Sequence, residues 1–164
     1  MDAEWKWNFA YQILPKMLWA TLNTIMAAGI GYAIAVVVGM LFLVGQRTPY
    51  KFINIIVREI VEFIRSTPLL IQLFFVYFVA PQFGIVLSAW MSAMITIGLH
   101  FGTYLSEVYR GALEGVPKSQ WEACRALNFS AIYTYKRIIF PQAFPIAIPG
   151  MGNYLVGIFK DTPL

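Results

Sequence analysis

Apolar and polar positions follow one another along this chain in long blocks. From Met17 to Val44 no side chain is charged, and at about 1.5 Å per residue such a run crosses the ~30 Å of bilayer hydrocarbon as one helix with residues to spare. Within it Ala27, Gly31, Ala35 and Gly39 recur every four residues, a small-residue stripe against which another helix can pack closely. Small residues are also common in membrane helices in general, and the partner of such a stripe can lie in this chain or in another. Gly45 to Tyr50 reads as a short basic turn containing Arg47. After it Lys51, Asn54, Arg58, Glu62 and Arg65 repeat at three- and four-residue steps, while Phe52, Ile56, Ile60, Phe63 and Ile64 occupy other faces. That is the pattern of an amphipathic helix lying at an interface or packed on its neighbours, with Arg58 and Glu62 spaced to pair. Pro68 biases Thr67 away from helix, so a kink or break is expected at Ser66–Pro68, followed by a climb from Leu69 to Val79. One continuous tilted helix is the alternative, because membrane helices tolerate proline.

Ala80 to Ser88 lacks charge, contains Pro81, Gln82 and Gly84, and reads as an external turn. Ala89 to Tyr109 is the next apolar run, with Gly98, Gly102 and Ser106 as a second stripe at four-residue steps. The last, Ile138 to Phe159, holds Pro141, Pro145 and Pro149 and then Gly150, Gly152 and Gly157. Each proline removes a backbone donor, so a helix running straight through this stretch is not expected. Irregular backbone at membrane depth is tolerated where it lines a cavity or is buried in protein. The pattern therefore predicts an all-α, multi-spanning membrane protein with spans near residues 17–44, 55–79, 89–109 and 141–159. Residues 1–16 form an external interfacial segment whose Trp5, Trp7, Phe9 and Tyr11 make an aromatic belt. A cleaved signal peptide is the rival for that segment, but its first residues should be basic and its apolar core shorter.

Between the last two runs, residues 115–141 are too polar for hydrocarbon: Lys118, Glu122, Arg125, Lys136 and Arg137 would each cost a few kcal/mol at mid-membrane. Pro117 suits a helix start, and Ser119 to Leu127 is a two-turn helix. Asn128 sits where a left-handed, helix-ending residue belongs, and Ser130 is placed to cap a second short helix, Ala131 to Ile139, limited by Pro141. Two short helices joined by a tight turn make a compact knob on a membrane protein.

Composition sharpens this picture. The 164 residues are 59% hydrophobic, 16% aromatic and only 12% charged, against about a quarter charged in soluble domains. The net charge of +4 does not indicate nucleic acid, because the basic residues are spread over loops with no patch of interleaved exposed aromatics. They do report topology. Arg47, Lys51, Arg58, Arg65, Arg110, Lys118, Arg125, Lys136 and Arg137 fall on one side of the membrane, leaving Lys6, Lys16 and Lys160 for the other. Basic loops stay inside, so the N-terminus is expected outside and the 115–141 loop in the cytoplasm. One cysteine excludes an intramolecular disulfide and a cysteine-based metal cluster, and His100 alone makes no metal site.

His100 and Glu107 interrupt the third run, and an ionisable group in a span is a functional-site candidate by default. Glu107 can simply pair with Arg110 at i+3, and His100 either lines a polar path or closes an interhelical hydrogen bond. Lys160, Asp161 and Thr162 end the last run, at a path or merely marking the external interface. No phosphate-binding G-x-x-x-x-G-K-[ST] loop is present, and no nucleophile, base and orienting residue fall together in any span.

The letters EACRALN from Glu122, followed by the IFP that ends at Pro141, resemble the EAA loop of ATP-binding-cassette (ABC) importer permeases. Glu122 and Ala123 match its first positions, Cys124 replaces the second Ala, Asn128 replaces the Gly, and Ile139 with Pro141 matches its close. RSTPLLIQLFF from Arg65, YLSEVYRGALEGVPKSQWEA from Tyr104, PQA from Pro141 and KDTPL from Lys160 resemble the polar amino-acid uptake branch, with Pro163 where that branch usually has Ser. The aromatic opening and the SEVYRG segment are similar to ectoine and hydroxyectoine permeases. The resemblance implies an ABC type-1 transmembrane domain, a fragment lacking its final span, that forms the path for an amino acid or ectoine-type compatible solute. It implies a coupling loop (Glu122, Ala123, Arg125, Asn128, Pro141) that docks on a separate ATPase subunit. Further implied partners are a second permease subunit, identical or different, and an extracytoplasmic solute-binding protein. No cofactor is expected in this chain, ATP and magnesium belonging to the ATPase. An ion-coupled secondary transporter or channel is the competing class; it needs intramembrane carboxylates or an inverted repeat, and the four runs offer only Glu107. A structural membrane subunit without a path of its own is a third.

Overall fold

The computed structural model describes residues 7–162, and those residues contain helices and turns but no strand. Helix α1 runs from Trp7 to Gln46, α2 from Lys51 to Ser66 and α3 from Leu69 to Phe74. The α3 rod continues as a π turn, Phe75–Val79, and a 3-10 turn, Ala80–Phe83. Helix α4 spans Ala89–Glu114, α5 Lys118–Ala126 and α6 Ala131–Tyr133; a π segment, Thr134–Ile139, then leads into α7, Phe140–Asp161. Among these, α1 by itself is long and apolar enough to cross a membrane, while α2 and the α3 rod qualify only as a pair, bent by 104°.

Helix α4 is the centre. It packs along α1 in the most extensive helix contact of the fold and also touches α2, α3 and α7. Because neighbours surround it, its buried positions include Ser92, Thr96, His100, Thr103 and Ser106 as well as Ile97, Phe101 and Leu105. Three of these hydroxyls are satisfied inside the helix: Thr96 donates to the Ser92 carbonyl at 2.7 Å, Thr103 to His100 at 2.6 Å and Ser106 to Thr103 at 2.6 Å. Small polar side chains can thus occupy a crowded interface with their donors used inside the helix; the buried Ser92 hydroxyl is the exception, with no hydrogen-bond partner among the described residues.

The small-residue stripes meet each other. Ala27, Gly31, Ala35 and Gly39 on α1 and Gly98 and Gly102 on α4 are all buried. A Cβ built on Gly39 would lie 2.9 Å from the Gly102 carbonyl oxygen and 3.2 Å from the Ser106 nitrogen, and one on Gly102 would lie 2.7 Å from a Val38 methyl carbon. Backbone therefore touches backbone, and the partner of the α1 stripe lies in this chain.

Several local expectations need correction. Residues 7–16 are not a separate segment but the first turns of α1, with Pro15 inside the helix; Asp2, Glu4, Trp5 and Lys6 lie outside the described residues, as do Pro163 and Leu164. Glu62 pairs with Arg65 at 3.8 Å and not with Arg58. Pro141 does not close the helix that begins at Ala131, which continues through the π segment into α7. The wider π turn carries the chain past the missing Pro141 donor, with Phe140 N bonding to the Tyr135 carbonyl. Nor do Pro145 and Pro149 break α7. At steps of four, the acceptor that Pro149 leaves free is the carbonyl of Pro145, and the one Pro145 leaves free is that of Pro141. The lost bonds are thus stacked on one face, while bonds on the other faces persist.

The close approach predicts which glycines are replaceable. Gly39→Leu should lower the melting temperature of the detergent-solubilised protein, an overpacking loss of about 1–3 kcal/mol. Gly29→Leu, where a Cβ meets nothing within 4 Å, should leave it unchanged. Equal melting of the two variants would remove the glycine contact from the basis of the fold.

Candidate functional site

Two groups of residues stand out, an exposed helical knob and a polar cluster around the α2–α3 break. The knob is built by local chemistry. Helix α5 ends in a Schellman motif: Asn128 adopts φ 51°, its N–H bonds to the Arg125 carbonyl at 3.0 Å, and Phe129 N–H reaches Cys124 O at 3.0 Å. Asn128 does what Gly usually does because it tolerates the left-handed region better than most side chains. Two residues on, the Ser130 hydroxyl caps α6 by accepting from Tyr133 N at 3.3 Å. One face of α5 is held inward by buried Cys124 and by Trp121, whose ring meets Tyr135 edge-on at 5.4 Å. Glu122, Ala123, Arg125 and Asn128 are exposed, so a fixed helix presents both charges outward. Pro141 is exposed too but lies in α7, a helix away from that face.

Helix α2 stops at Ser66 and α3 starts at Leu69. A break of this kind frees carbonyls, which must find donors wherever water is excluded. Gln72 supplies one, its Nε2 donating to Thr67 O at 3.0 Å and also to Ile64 O at 2.7 Å, which already accepts from Thr67 N–H at 3.3 Å. Oε1 of the same amide accepts from His100 Nδ1 at 3.2 Å. His100 is buried and so closes an interhelical hydrogen bond, joining α3 to α4. Beside it, Tyr104 donates to Arg65 O at 3.2 Å and lies under the Arg65 guanidinium, 5.2 Å from the ring centroid. Tyr154 of α7 approaches Tyr104 at 5.3 Å between centroids, and Asp161 is within electrostatic range of His100.

Glu107 belongs to a second cluster about 10 Å further along α4. It accepts from Arg110 Nη2 at 2.7 Å and from Gln46 Nε2 at 3.1 Å, and Arg110 also reaches Glu114 at 2.9 Å. With Arg58, Glu59, Glu62 and Arg65, the side chains of Gln46, Glu107 and Arg110 line a cavity of about 410 Å³ where the ends of α1, α2 and α4 meet. The five path candidates are therefore not one site: His100 and Asp161 interact electrostatically, Glu107 lies in the neighbouring cavity and shares Arg65 with the His100 group, Lys160 is exposed, and Thr162 donates to Ile158 O at 2.6 Å. Gln46, Arg65, Gln72, Tyr104 and Tyr154 were missed. Gln72 had a sequence signal, a lone amide one turn beyond an expected break; Tyr104 and Tyr154 had none, since aromatics recur throughout the chain.

A glycine-packed helix pair, a broken crossing whose polar residues are gathered inside, and an exposed helix–turn–helix knob define a multi-spanning helical membrane subunit. Residues 31–164 match the binding-protein-dependent transport system inner membrane component family, and the chain belongs to that family. It is 42% identical over 95% of its length to a probable amino-acid ABC transporter permease of Sinorhizobium fredii, spanning 68% of that protein. It is 30% identical over 94% of its length to the L-cystine transport system permease of Bacillus subtilis, again spanning 68%. Among solved structures, an amino acid ABC transporter with histidines superposes with a TM-score of 0.85 at 25% identity, over 94% of this chain and 73% of the other. The fold is that of the ABC type-1 transmembrane domain, and the chain is an ABC importer permease subunit, the family and class expected from its motifs.

The amide at Gln72 carries a testable load. Gln72→Leu keeps the side chain's size but takes away the donor to Thr67 O and the partner of His100, at a cost of about 1–3 kcal/mol. The variant should melt earlier in detergent and become susceptible to proteolysis at Ser66–Pro68. Unchanged melting and protection would show that water, not Gln72, satisfies the break.

Proposed function

We propose that this subunit forms the path of an ATP-driven importer for an amino acid and is driven through α5 by a separate ATPase. The observation that carries the reading is the state of α5 in the isolated chain. Its inner face is fastened by Trp121 and Cys124, its end is fixed by Asn128, and Glu122 and Arg125 point outward, so a docking element exists before any partner binds. ATP and magnesium would be held by that partner. The family's description as part of a binding-protein-dependent system supports an external solute-binding protein, and a second permease subunit, identical or different, would complete the path. The excess of basic residues on the α5 side supports an external N-terminus and a cytoplasmic knob in the inner membrane.

For the solute, the relatives' amino-acid and L-cystine permeases favour an amino acid over an ectoine-type compatible solute. The wall formed by Arg65, Gln72, His100, Tyr104, Tyr154 and Asp161 has suitable chemistry: a guanidinium for a carboxylate, a carboxylate for an ammonium, and aromatic faces between them.

Glu122→Lys tests the coupling role. At an exposed position the substitution should change stability by under about 0.5 kcal/mol, whereas a reversed charge at a docking face costs several kcal/mol and lowers complex occupancy by orders of magnitude. The full-length variant should insert normally yet lose ATPase co-purification or solute-stimulated ATP hydrolysis, and with it uptake. Normal uptake with a normal complex would remove Glu122 from coupling. Gradient-driven uptake by this protein alone would overturn the ATP-driven reading itself.

A further inference from the structure

Gln72 can face only one way. Its side-chain amide lies 2.7 Å from the Ile64 carbonyl oxygen and 3.0 Å from that of Thr67, and both are acceptors. An oxygen placed there would meet two carbonyl oxygens, so the nitrogen takes that side and Oε1 faces His100. Oε1 lies 3.2 Å from His100 Nδ1 and has nothing to donate, which leaves the proton of this contact to the imidazole. A neutral ring carries one N–H and one lone pair, and the bond made at one nitrogen decides the state of the other. With Nδ1 as donor, the lone pair is on Nε2. Among the described residues, the enclosed side-chain atoms without a partner are Gln46 Oε1, Arg65 Nε, Ser92 Oγ and Tyr109 Oη. His100 Nε2 is not one of them: it has no partner among those residues but is open, although the residue as a whole is only 8% exposed.

Asp161 of α7 is in electrostatic range of the ring yet beyond ion-pair distance. The ring thus offers an acceptor near an ionised carboxylate. Water or a hydroxyl group can serve the first, but a cation suits both, and an ammonium has three N–H donors with which to do so. We propose that Gln72 fixes His100 as the Nδ1–H tautomer and that the lone pair on Nε2 accepts a hydrogen bond from the ammonium of the transported amino acid. His100 is then a specificity-determining residue that favours solutes with a free amino group, and Gln72 is a positioning residue that acts through it. This assignment rests on the amino-acid reading proposed above.

The tautomer is read by NMR on the full-length permease in detergent, made with nitrogen-15 histidine and no histidine tag. His100 is the one histidine of these 164 residues, and His100→Asn identifies its signal. Nδ1 should resonate as an N–H and Nε2 as an unprotonated nitrogen; the reverse pattern would overturn the proposal. Diethyl pyrocarbonate, which acylates an accessible unprotonated imidazole nitrogen, then reads whether Nε2 is open. Without solute His100 should be modified; no modification would mean that another part of the protein covers Nε2, and would overturn the proposal as well. L-cystine and each protein amino acid are next added singly. At least one should protect His100 from the reagent and raise the melting temperature, while its N-acetyl derivative, which lacks the ammonium, should do neither. Equal protection by that derivative sinks the ammonium contact. His100→Asn keeps a polar atom at the Nδ1 position and removes Nε2. It should melt like the unsubstituted protein yet need about tenfold more of that amino acid for the same rise in melting temperature, as expected when a hydrogen bond to a charged group is lost. An unchanged requirement would remove His100 from solute recognition, and if this variant does not fold, the tautomer and protection measurements still decide. An amino acid that raises the melting temperature without protecting His100 overturns this proposal and leaves the amino-acid reading standing. Stabilisation by ectoine and by no amino acid would overturn the amino-acid reading itself.

Discussion

The contact between the backbones of α1 and α4 at Gly39 and Gly102 sets the geometry on which the rest of the chain depends. In lipid the hydrophobic effect does not press helices together, and association rests on van der Waals packing and on hydrogen bonds. With a Cβ on Gly39 only 2.9 Å from the Gly102 oxygen, the two axes lie as close as backbone permits. Helix α4 then receives α2, α3 and α7 on its remaining sides. That is why its hydroxyls and His100 are inside, while so many large apolar side chains of α1, such as Trp19, Leu22, Val37 and Leu41, remain outward. The molecule is arranged like a membrane domain, with large apolar side chains outside and a few small polar groups and His100 set among the apolar residues of its core.

A second constraint operates at the α2–α3 break. Pro68 ends a helix in a region where freed carbonyls have few alternative donors, and the 104° bend would be costly if they were left unpaired. Gln72 serves the carbonyls with one end of its amide and His100 with the other. The stabilising element of the bend is therefore also what brings Arg65, His100 and Tyr104 to one wall. Structural need and candidate path chemistry coincide in the same side chains, as polar groups at membrane depth are usually either paired or functional.

The knob follows a different logic. Its shape is decided within a dozen residues, by Pro117 at the start, Asn128 at the turn and Ser130 at the next cap, so it is formed without help from a partner. A docking helix already fixed in place loses less conformational entropy on binding than one that must fold on contact. Beside it, the π segment at Thr134–Ile139 links the knob directly to α7, giving movement at the surface a continuous helical route into the span.

Features set by neighbours in sequence were legible before the fold was. The long apolar run of α1, the break at Ser66–Pro68, the Asn128 turn, the Ser130 cap and the Glu107–Arg110 pair all depend on residues within a few positions of each other, where periodicity, proline geometry and capping act. The family was legible too, because its motifs are contiguous letters. Where the sequence misled was in reading proline as a terminator: Pro141, Pro145 and Pro149 sit inside one continuous helical run, because their lost bonds stack on one face and the intact faces hold. What only the tertiary structure decided was pairing across distance. That the α1 stripe meets α4 and not another subunit, that Gln72 bonds to His100, that Tyr154 reaches Tyr104, and that His100 and Glu107 belong to separate clusters all depend on how helices far apart in sequence are placed. Periodicity along one helix identifies a face but carries no information about which helix will lie against it.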